Sequence, residues 1–295
     1  MANTAYLAAA FLSLVWGCNF LFMKWASEVI SATQIVELRV LFGFVPILLF
    51  ALYRKELKLA HVRYFGHFIV MALLATALYY VAFAAAASRL PSGVAGMLSG
   101  SIPLFACLAS FLMVRDEPIT KRMVQGLIIA FAGILVIASP WSNDQGLDAT
   151  GIVLMLLGSA SLGLSFAYAR RFIAPLKLPA SALATYQMGL ALLMLSFVTP
   201  EAGMTLLMND HIALFSVVIG LGIMGTGVAF LLYYIIVSQL GAIKASTVTY
   251  IAPVIALIVG WSFAGEALGV KELLAVMAIL GGVYLTQSRV IKAKT

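Results

Sequence analysis

Residues 88–103 have the sequence SRLPSGVAGMLSGSIP, and residues 238–253, which start 150 positions later, have the sequence SQLGAIKASTVTYIAP. Both stretches begin with Ser-X-Leu, and both end with a proline, Pro103 in the first and Pro253 in the second. A motif that returns at a fixed spacing is the signature of an internal repeat. The chain is therefore expected to consist of two related halves.

Further matches follow the same order along the chain. Their offset is 149 for two pairs and 146 for three pairs near the start. The pairs are Glu117 with Glu266, Gly133 with Gly282, Gly17 with Gly163, Phe20 with Phe166, and Lys24 with Arg170. A single match is weak, but a collinear series with a slowly drifting offset is strong. We therefore predict two repeats, residues 1–142 and 143–295.

The composition indicates that most of this chain is surrounded by lipid and not by water. Of its 295 residues, 63% are hydrophobic and 10% are charged, and the mean hydropathy is +1.09. Soluble domains are about 45–50% apolar and about 25% charged, so a soluble domain and a disordered chain are both excluded. Two cysteines, Cys18 and Cys107, both in apolar runs, also exclude a disulfide scaffold. The chain is predicted to be a membrane protein.

A helix that crosses a bilayer needs about 20 mostly apolar residues. The ten stretches that fit are 5–23, 33–53, 64–87, 93–114, 120–139, 149–169, 180–199, 211–237, 243–264 and 270–288, and we number them spans 1 to 10. The alternating pattern of a membrane β-barrel is absent, so the predicted fold class is all-α integral membrane. Each repeat holds five spans, an odd number, so the second repeat is inverted, as in secondary transporters whose site lies between the repeats.

The lysines and arginines indicate the orientation of these spans. If the N-terminus is cytoplasmic, Lys24, Arg89 and Lys271 face outward, Arg39 lies within a span, and the other fourteen face the cytoplasm. This distribution obeys the positive-inside rule and predicts both termini in the cytoplasm. The net charge of +7 is then a topology signal and not a nucleic-acid-binding surface. No basic residue precedes span 1, which is therefore predicted to be a permanent span and not a secretory signal.

Several stretches resemble the drug/metabolite transporter superfamily, in its ten-helix EamA branch. The resemblance rests on residues 14–20 (LVWGCNF), on Arg39, on residues 90–95 (LPSGVA) through Pro103, on Glu117, and on Gly126 to Gly133, with their echoes in the second half. It covers nearly the whole chain and implies ten helices around a basket-like central cavity, with both termini in the cytoplasm. It also implies export of small metabolites, often amino acids, across the inner membrane by alternating access. The second echo departs from the family pattern, since residues 241–244 (GAIK) replace the Leu-Pro-Ser turn.

Ionisable residues inside a bilayer are costly and need a role or a partner. Two stand out, Glu37 and Arg39 in span 2. They lie two positions apart, about 200° around a helix, so they do not pair with each other. Arg39 either binds a substrate carboxylate with its planar guanidinium or serves a structural role at helix ends. Glu37 either carries a coupling proton or pairs with Lys24 or Arg89 near the outer interface.

Polar and aromatic residues complete the candidate substrate site. Trp16 and Asn19 share one face of span 1, where the indole either faces substrate or packs on a helix, and the amide needs a partner from a helix or a substrate. Tyr79 in span 3 lies deep enough to face a cavity. Tyr233 in span 8 lies near the inner end, where interfacial anchoring is the alternative. Further substrate-binding candidates are Gln187 in span 7 and Thr249 and Tyr250 in span 9.

Glycines and prolines mark the candidate hinges, which are Gly96, Gly100, Pro103, Pro253, Gly225 and Gly227. The Gly-X-X-X-Gly pair in span 4 lets another backbone approach closely. The two prolines interrupt backbone hydrogen bonding near the middle of spans 4 and 9. Their symmetric placement favours bending of spans 3–4 and 8–9 as gates. The alternative is that Gly and Pro are simply frequent in membrane helices.

These patterns favour a secondary transporter that exports small polar or zwitterionic metabolites, amino acids in particular. Efflux of organic cations or drugs is the alternative within the same fold, and a non-transporting scaffold or membrane enzyme is the alternative of another class. Metal-ligand spacing and a nucleotide-binding glycine loop are both absent from the sequence, so we expect no metal, no cofactor and no enzyme activity. The expected partners are a small-molecule substrate and membrane lipid, without nucleic acid, and a monomer is favoured.

Overall fold

The computed structural model describes residues 2–113, 121–138, 147–240 and 247–287, and all of the secondary structure in these ranges is helical. We number the helical segments to match the predicted spans. They are α1 (Ala2–Ser27), α2 (Ala32–Tyr53), α3 (Leu59–Ala87), α4 (Ser92–Ser99 and Ile102–Met113), α5 (Lys121–Ala138), α6 (Ala149–Leu176), α7 (Ala180–Val198), α8 (His211–Phe215, Ser216–Val228 and Ala229–Leu240), α9 (Thr247–Ala264) and α10 (Val270–Gln287). A short 3-10 turn, Met204–Asn209, precedes α8.

Seven of these segments, α1 to α4 and α6 to α8, are long and apolar enough to cross a membrane. The segments α5 and α9 contain the shorter apolar helices Val124–Val136 and Ile251–Ala264. Large apolar side chains such as Leu49, Phe197 and Phe263 lie exposed on the outside of the bundle, as expected where lipid is the solvent. The predicted all-α membrane class is therefore confirmed, and the number of crossings stays a prediction.

Polar side chains fix where several helices begin. Ser31 and Gln34 form a capping box at the start of α2, in which each side chain satisfies a backbone N–H of the other. Asp148 accepts the N–H groups of the first turn of α6, and Asp210 does the same for α8. These caps satisfy backbone N–H groups that have no partner within the first turns of α2, α6 and α8.

Besides α6, which has a π-helical turn near its end at Ala169–Ile173, two described segments have π-helical turns within their length and one is broken. A π-helical turn, Leu73–Ala77, lies in α3, and a longer one, Ser216–Val228, lies in α8. Between its two shorter helices, α4 is broken at Gly100 and Ser101. Departures of this kind are frequent at functional sites. Inside a membrane they also require that protein, and not lipid, surrounds the irregular backbone.

The two candidate hinge prolines occupy different settings. Pro253 lies inside the helix of α9, where it cannot donate to the backbone ladder. Pro103 lies in the first turn of the second α4 helix, where a proline costs no hydrogen bond. Pro103 cannot donate to the carbonyl of Ser99, where the first α4 helix ends, so the break at Gly100 and Ser101 lies where this proline would interrupt a continuous helix. A further interior proline, Pro46 in α2, went unnoticed in the sequence.

Small residues bring the segments into close contact. The helix α1 packs along α9, and α6 packs along the second helix of α4. A Cβ on Gly17 of α1 would collide with Ile255, and a Cβ on Gly163 of α6 would collide with Phe105. The segments α2 and α8 also pack along each other, as do α5 and α10.

Replacing Gly96 with alanine should disturb the contact between α4 and α9. The added Cβ would collide with the Cβ of Ala256, which is fixed to the backbone of α9 and cannot rotate away. We expect Gly96→Ala to destabilise the protein by about 1–3 kcal/mol and to lower its melting temperature in detergent. Gly281→Ala is the matched control, because nothing lies within 4 Å of a Cβ at that position. Equal melting temperatures for the two variants would contradict the proposed contact.

Candidate functional site

Arg39 lies inside the bundle with only 4% of its surface exposed. Its Nε donates a hydrogen bond to Oγ1 of Thr226, 3.0 Å away. The guanidinium carbon lies 3.8 Å from the centre of the Tyr80 ring, in a cation–π contact. Thr226, in the π-helical turn of α8, in turn donates to the carbonyl of Leu221, 2.9 Å away. The arginine is therefore held between α8 and α3 by a neutral hydroxyl and a ring face.

Among the described residues, no carboxylate compensates the charge of Arg39. The salt bridges found there join Arg54 with Glu56 and Arg89 with Asp148, both near exposed helix ends. The other N–H groups of the Arg39 guanidinium have no hydrogen-bond partner among the described residues. A planar guanidinium with unused donors is suited to bind a carboxylate through two parallel hydrogen bonds.

Gln187 lies on α7, also buried, and its Nε2 donates to Oγ1 of Thr76, 2.8 Å away. Thr76 belongs to the π-helical turn of α3, and Tyr80 follows it four residues later. Residues four apart lie on one face of a helix. Arg39 and Gln187 therefore meet the same face of α3, about one turn apart.

These two sets of contacts are joined through the backbone of α3, and we call their residues the central polar strip: Thr226, Arg39, Tyr80, Thr76 and Gln187. An aromatic cluster continues from it along α3. The ring of Tyr79 lies 4.7 Å from that of Tyr80 and 4.6 Å from that of Phe83, and Phe83 lies 5.9 Å from Phe20 of α1. The sequence predicts Arg39, Tyr79 and Gln187 as separate candidates, and the structure places Arg39 of α2 and Gln187 of α7 against α3, which carries Tyr79.

The two candidates on α1 have different surroundings. Asn19 is 6% exposed, and its Oδ1 lies against Gly225 of α8 and has no hydrogen-bond partner among the described residues. Trp16 packs against Tyr233 of α8, with ring centres 6.0 Å apart. This aromatic pair belongs to a small apolar cluster with Leu12 and is separate from the main core. Of the alternatives for Trp16, packing on a neighbouring helix is the one that the structure displays.

Glu37 does not pair with either cation that its position suggested. Oγ of Ser196, on α7, donates to its carboxylate at 2.8 Å. Lys24 donates instead to a backbone carbonyl of the turn before α4, at 3.4 Å, and Arg89 forms its salt bridge with Asp148, at 3.0 Å. The expected ion pair of Glu37 was therefore wrong, because both cations have other acceptors.

Side chains from α1, from the start of α6 and from just after α9 bind the turn between α3 and α4, at the end of the bundle predicted to face outward. Besides those of Lys24 and Arg89, the carboxylate of Glu266, just after α9, accepts the backbone N–H groups of Ser92 and Gly93. These N–H groups have no partner within their own helix, and the helix dipole favours an anion beside them. A cavity of about 250 Å³ lies next to Glu266.

The ion pair between Arg89 and Asp148 also changes the pKa of the Asp148 carboxyl. The hydrogen bond from Arg89, followed by that from the N–H of Gly151, holds the pKa of the Asp148 carboxyl below its usual range. The carboxylate therefore stays charged at neutral pH and keeps its contact with the turn.

The glycines among the hinge candidates lie at close contacts between helices. Gly96 lies against Ala256 and Phe20, Gly100 against Ile279, and Gly227 against Pro46. Ser99 and Ser101, beside the break in α4, donate to carbonyls of their own helix. The side chains of the remaining substrate-binding candidates, Thr249 and Tyr250, lie outside the described residues.

Sequence reasoning missed Thr76, Thr226 and the contact of Glu266, and it preferred Tyr79 to its neighbour Tyr80, which is the residue that contacts Arg39. One available signal was the separation of Thr76 and Thr226, which are 150 positions apart like the repeat itself. The expectation of no metal site stays a prediction. In the described ranges, no group of three His, Cys, Asp or Glu residues could hold a metal ion.

Comparisons with known proteins give a consistent result. A model of the EamA-like transporter family matches residues 3–139 and residues 149–287. The uncharacterized transporter YdfC of Bacillus subtilis (strain 168) is 26% identical over 280 residues, 94% of this chain and 89% of that protein. The uncharacterized inner membrane transporter YedA of Escherichia coli (strain K12) is 26% identical over 276 residues, 93% of this chain and 87% of that protein. A protein of known crystal structure, at 19% identity, shares the fold with a TM-score of 0.63 over 99% of both chains.

Removing the Thr226 hydroxyl should leave Arg39 without its hydrogen-bond acceptor. A buried donor that loses its partner costs about 1–3 kcal/mol, so we expect Thr226→Val to lower the melting temperature in detergent. Thr226→Ser keeps the acceptor and should melt close to the unmodified protein. If the valine variant is as stable as the serine variant, this hydrogen bond does not hold Arg39 in place.

Proposed function

This chain belongs to the EamA-like transporter family, as its motifs predicted, and on that basis we propose that it exports small zwitterionic metabolites, in particular amino acids. It is a multi-pass membrane transporter whose relatives include an inner membrane transporter. The proposal adds the substrate class, the direction, an inner-membrane location with both termini in the cytoplasm, and alternating access between two inverted five-helix repeats.

The observation that carries the substrate class is the buried charge of Arg39, which no carboxylate of the described residues compensates. A charge inside a membrane protein is costly unless a partner is present. Thr226 and Tyr80 supply only a neutral acceptor and a ring face. A substrate carboxylate would supply the missing charge and fit the guanidinium fork. The aromatic cluster that starts at Tyr79 would then receive the apolar part of the substrate.

The packing of the helices supports inverted repeats. Gly17 and Gly163 are 146 positions apart, and each lies against the corresponding helix of the other half, α9 and α4 respectively. The π-helical turns of α3 and α8 also overlap at an offset of 150. The family model matches the chain in two successive stretches of similar length. In transporters built in this way, the substrate site lies near the midplane between the repeats.

Alternating access requires parts that bend and ends that open in turn. The break in α4 and the π-helical turns are candidates for bending, since their backbone ladders are already irregular. The turn before α4 is the candidate for the closed outer end, because α1, the start of α6 and Glu266 all bind it. Opening outward would release these contacts.

Efflux of organic cations has less support. It calls for an interior carboxylate that faces the substrate. Glu37 is bound to Ser196 of α7, and the central polar strip offers a cation instead. A membrane enzyme or a scaffold likewise has no observation in its favour.

Counterflow in proteoliposomes tests the proposal. We expect labelled amino acids to exchange and cationic dyes not to. Arg39→Gln should reduce amino-acid counterflow by about tenfold or more, because a hydrogen-bonded charge is lost, and Arg39→Lys should restore it only in part, because it lacks the planar fork. Arg63→Gln, which removes an exposed cation of α3, is the control.

Three results would count against it. If neither solute class moves under any pH gradient, the transporter proposal fails. If dyes move and amino acids do not, the cation alternative replaces it. Unchanged affinity of Arg39→Gln for every carboxylate substrate would remove Arg39 from the site.

Glu37 is our candidate for proton coupling. Its carboxylate lies within α2, and the Ser196 hydroxyl can donate to the charged form and accept from the protonated form. We expect Glu37→Gln to keep counterflow, which needs no net proton movement, and to lose the stimulation by a pH gradient. Glu28→Gln, at an exposed position after α1, should behave like the unmodified protein. Full pH-gradient dependence in Glu37→Gln would exclude Glu37 as the proton carrier.

A further inference from the structure

Arg39 and Gln187 make the same kind of contact in the two halves of the chain. Arg39 on α2 donates to Thr226 on α8 at 3.0 Å, and Gln187 on α7 donates to Thr76 on α3 at 2.8 Å. The two donors are 148 positions apart and the two acceptors are 150 positions apart, as expected for equivalent residues of the repeats. Both threonines lie in π-helical turns.

The two equivalent contacts differ in charge. Arg39 is a cation with unused N–H donors. Gln187 is neutral and donates from Nε2 to Thr76. Within the described residues no hydrogen bond to its amide oxygen is found. An amide oxygen has two lone pairs and accepts hydrogen bonds. One end of the central polar strip is thus a donor to anions, and the other end is an acceptor for N–H groups.

The two ends are near enough for one small molecule. Arg39 stacks on Tyr80, and Gln187 bonds to Thr76 four residues earlier on the same helix. Four residues rise about 6 Å along a helix. An amino acid carries its ammonium and carboxylate groups on one carbon, and charge-assisted hydrogen bonds of about 2.8 Å at each end would span such a gap.

We propose that the amide oxygen of Gln187 receives the ammonium group of the substrate while Arg39 receives its carboxylate. This inference rests on the proposed function and makes it more specific. Gln187 would then decide between amino acids and plain carboxylic acids, since only the former bring an N–H donor to this acceptor. An unfilled acceptor is a strong basis for rejecting an analogue that lacks the donor.

The test compares ligand pairs that differ only in the ammonium group. Binding of L-phenylalanine and 3-phenylpropanoate, and of L-leucine and 4-methylpentanoate, is measured on the purified full-length protein in detergent. We expect Gln187→Leu to weaken binding of the amino acids about tenfold, as for loss of a hydrogen bond to a charged group, and to leave the des-amino acids nearly unchanged.

Two further variants make the result specific. Gln187→Glu keeps the size of the side chain and should raise the preference for amino acids over des-amino acids, because a carboxylate attracts the ammonium group and repels the lone carboxylate. It also serves if the leucine variant fails to fold. Thr185→Val is the control on the same helix, since within the described residues the Thr185 hydroxyl bonds only to the backbone of α7, at 2.8 Å. It should bind all four ligands like the unmodified protein.

The outcomes separate the two proposals. Equal weakening of amino acids and des-amino acids by Gln187→Leu, or an unchanged preference in Gln187→Glu, would overturn the role of Gln187 and leave the proposed function standing. Absence of binding of all four ligands to the unmodified protein would overturn the assignment of Gln187 together with the proposed substrate class.

Discussion

The burial of a positive charge on α2 is the constraint on which the candidate site depends. Arg39 has little access to solvent, and its charge is stabilised by a hydroxyl and a ring face. Such contacts orient a guanidinium, but they do not neutralise it. They also come from α3 and α8, the two segments with π-helical turns in the interior. The charge therefore links the most irregular helices of the two halves at one place.

The contact between Arg39 and Thr226 depends on small residues that let α8 pack closely on α1 and α2. Gly225 makes room for Asn19, and Gly222 lies against the α2 backbone near Arg39. With side chains at these positions, α8 would stand farther from α1 and α2, and Thr226 would not reach the guanidinium. In a membrane, where lipid is as apolar as the helix surface, packing of this kind and interhelical hydrogen bonds supply most of the association energy. The close packing at these glycines therefore allows the interhelical hydrogen bond of the central polar strip to form.

The helices and the buried arginine could be predicted because each leaves a trace in the sequence, and the repeat, which leaves one too, stays a prediction. Apolar runs of sufficient length, an offset near 150 and a lone cation in a span are all visible without coordinates. The partners could not be predicted in this way. Glu37 bonds to Ser196, 159 positions away, and that contact depends on how α2 packs on α7. Thr76 and Thr226 carry no individual signal, because a threonine in an apolar helix most often bonds its own backbone.

The two halves of the proposed repeat would by themselves form a symmetric site. In the proposed inverted repeat, equivalent residues lie on opposite sides of a common axis. A site made only of equivalent residues would be the same at both ends, and it could not distinguish the two ends of a substrate. Arg39 and Gln187 occupy equivalent positions but differ in charge. In the proposed site, this difference in charge gives the strip two unlike ends, and a zwitterion is a small molecule that also has two unlike ends. The shared scaffold can then remain symmetric for movement, while the site is asymmetric for recognition.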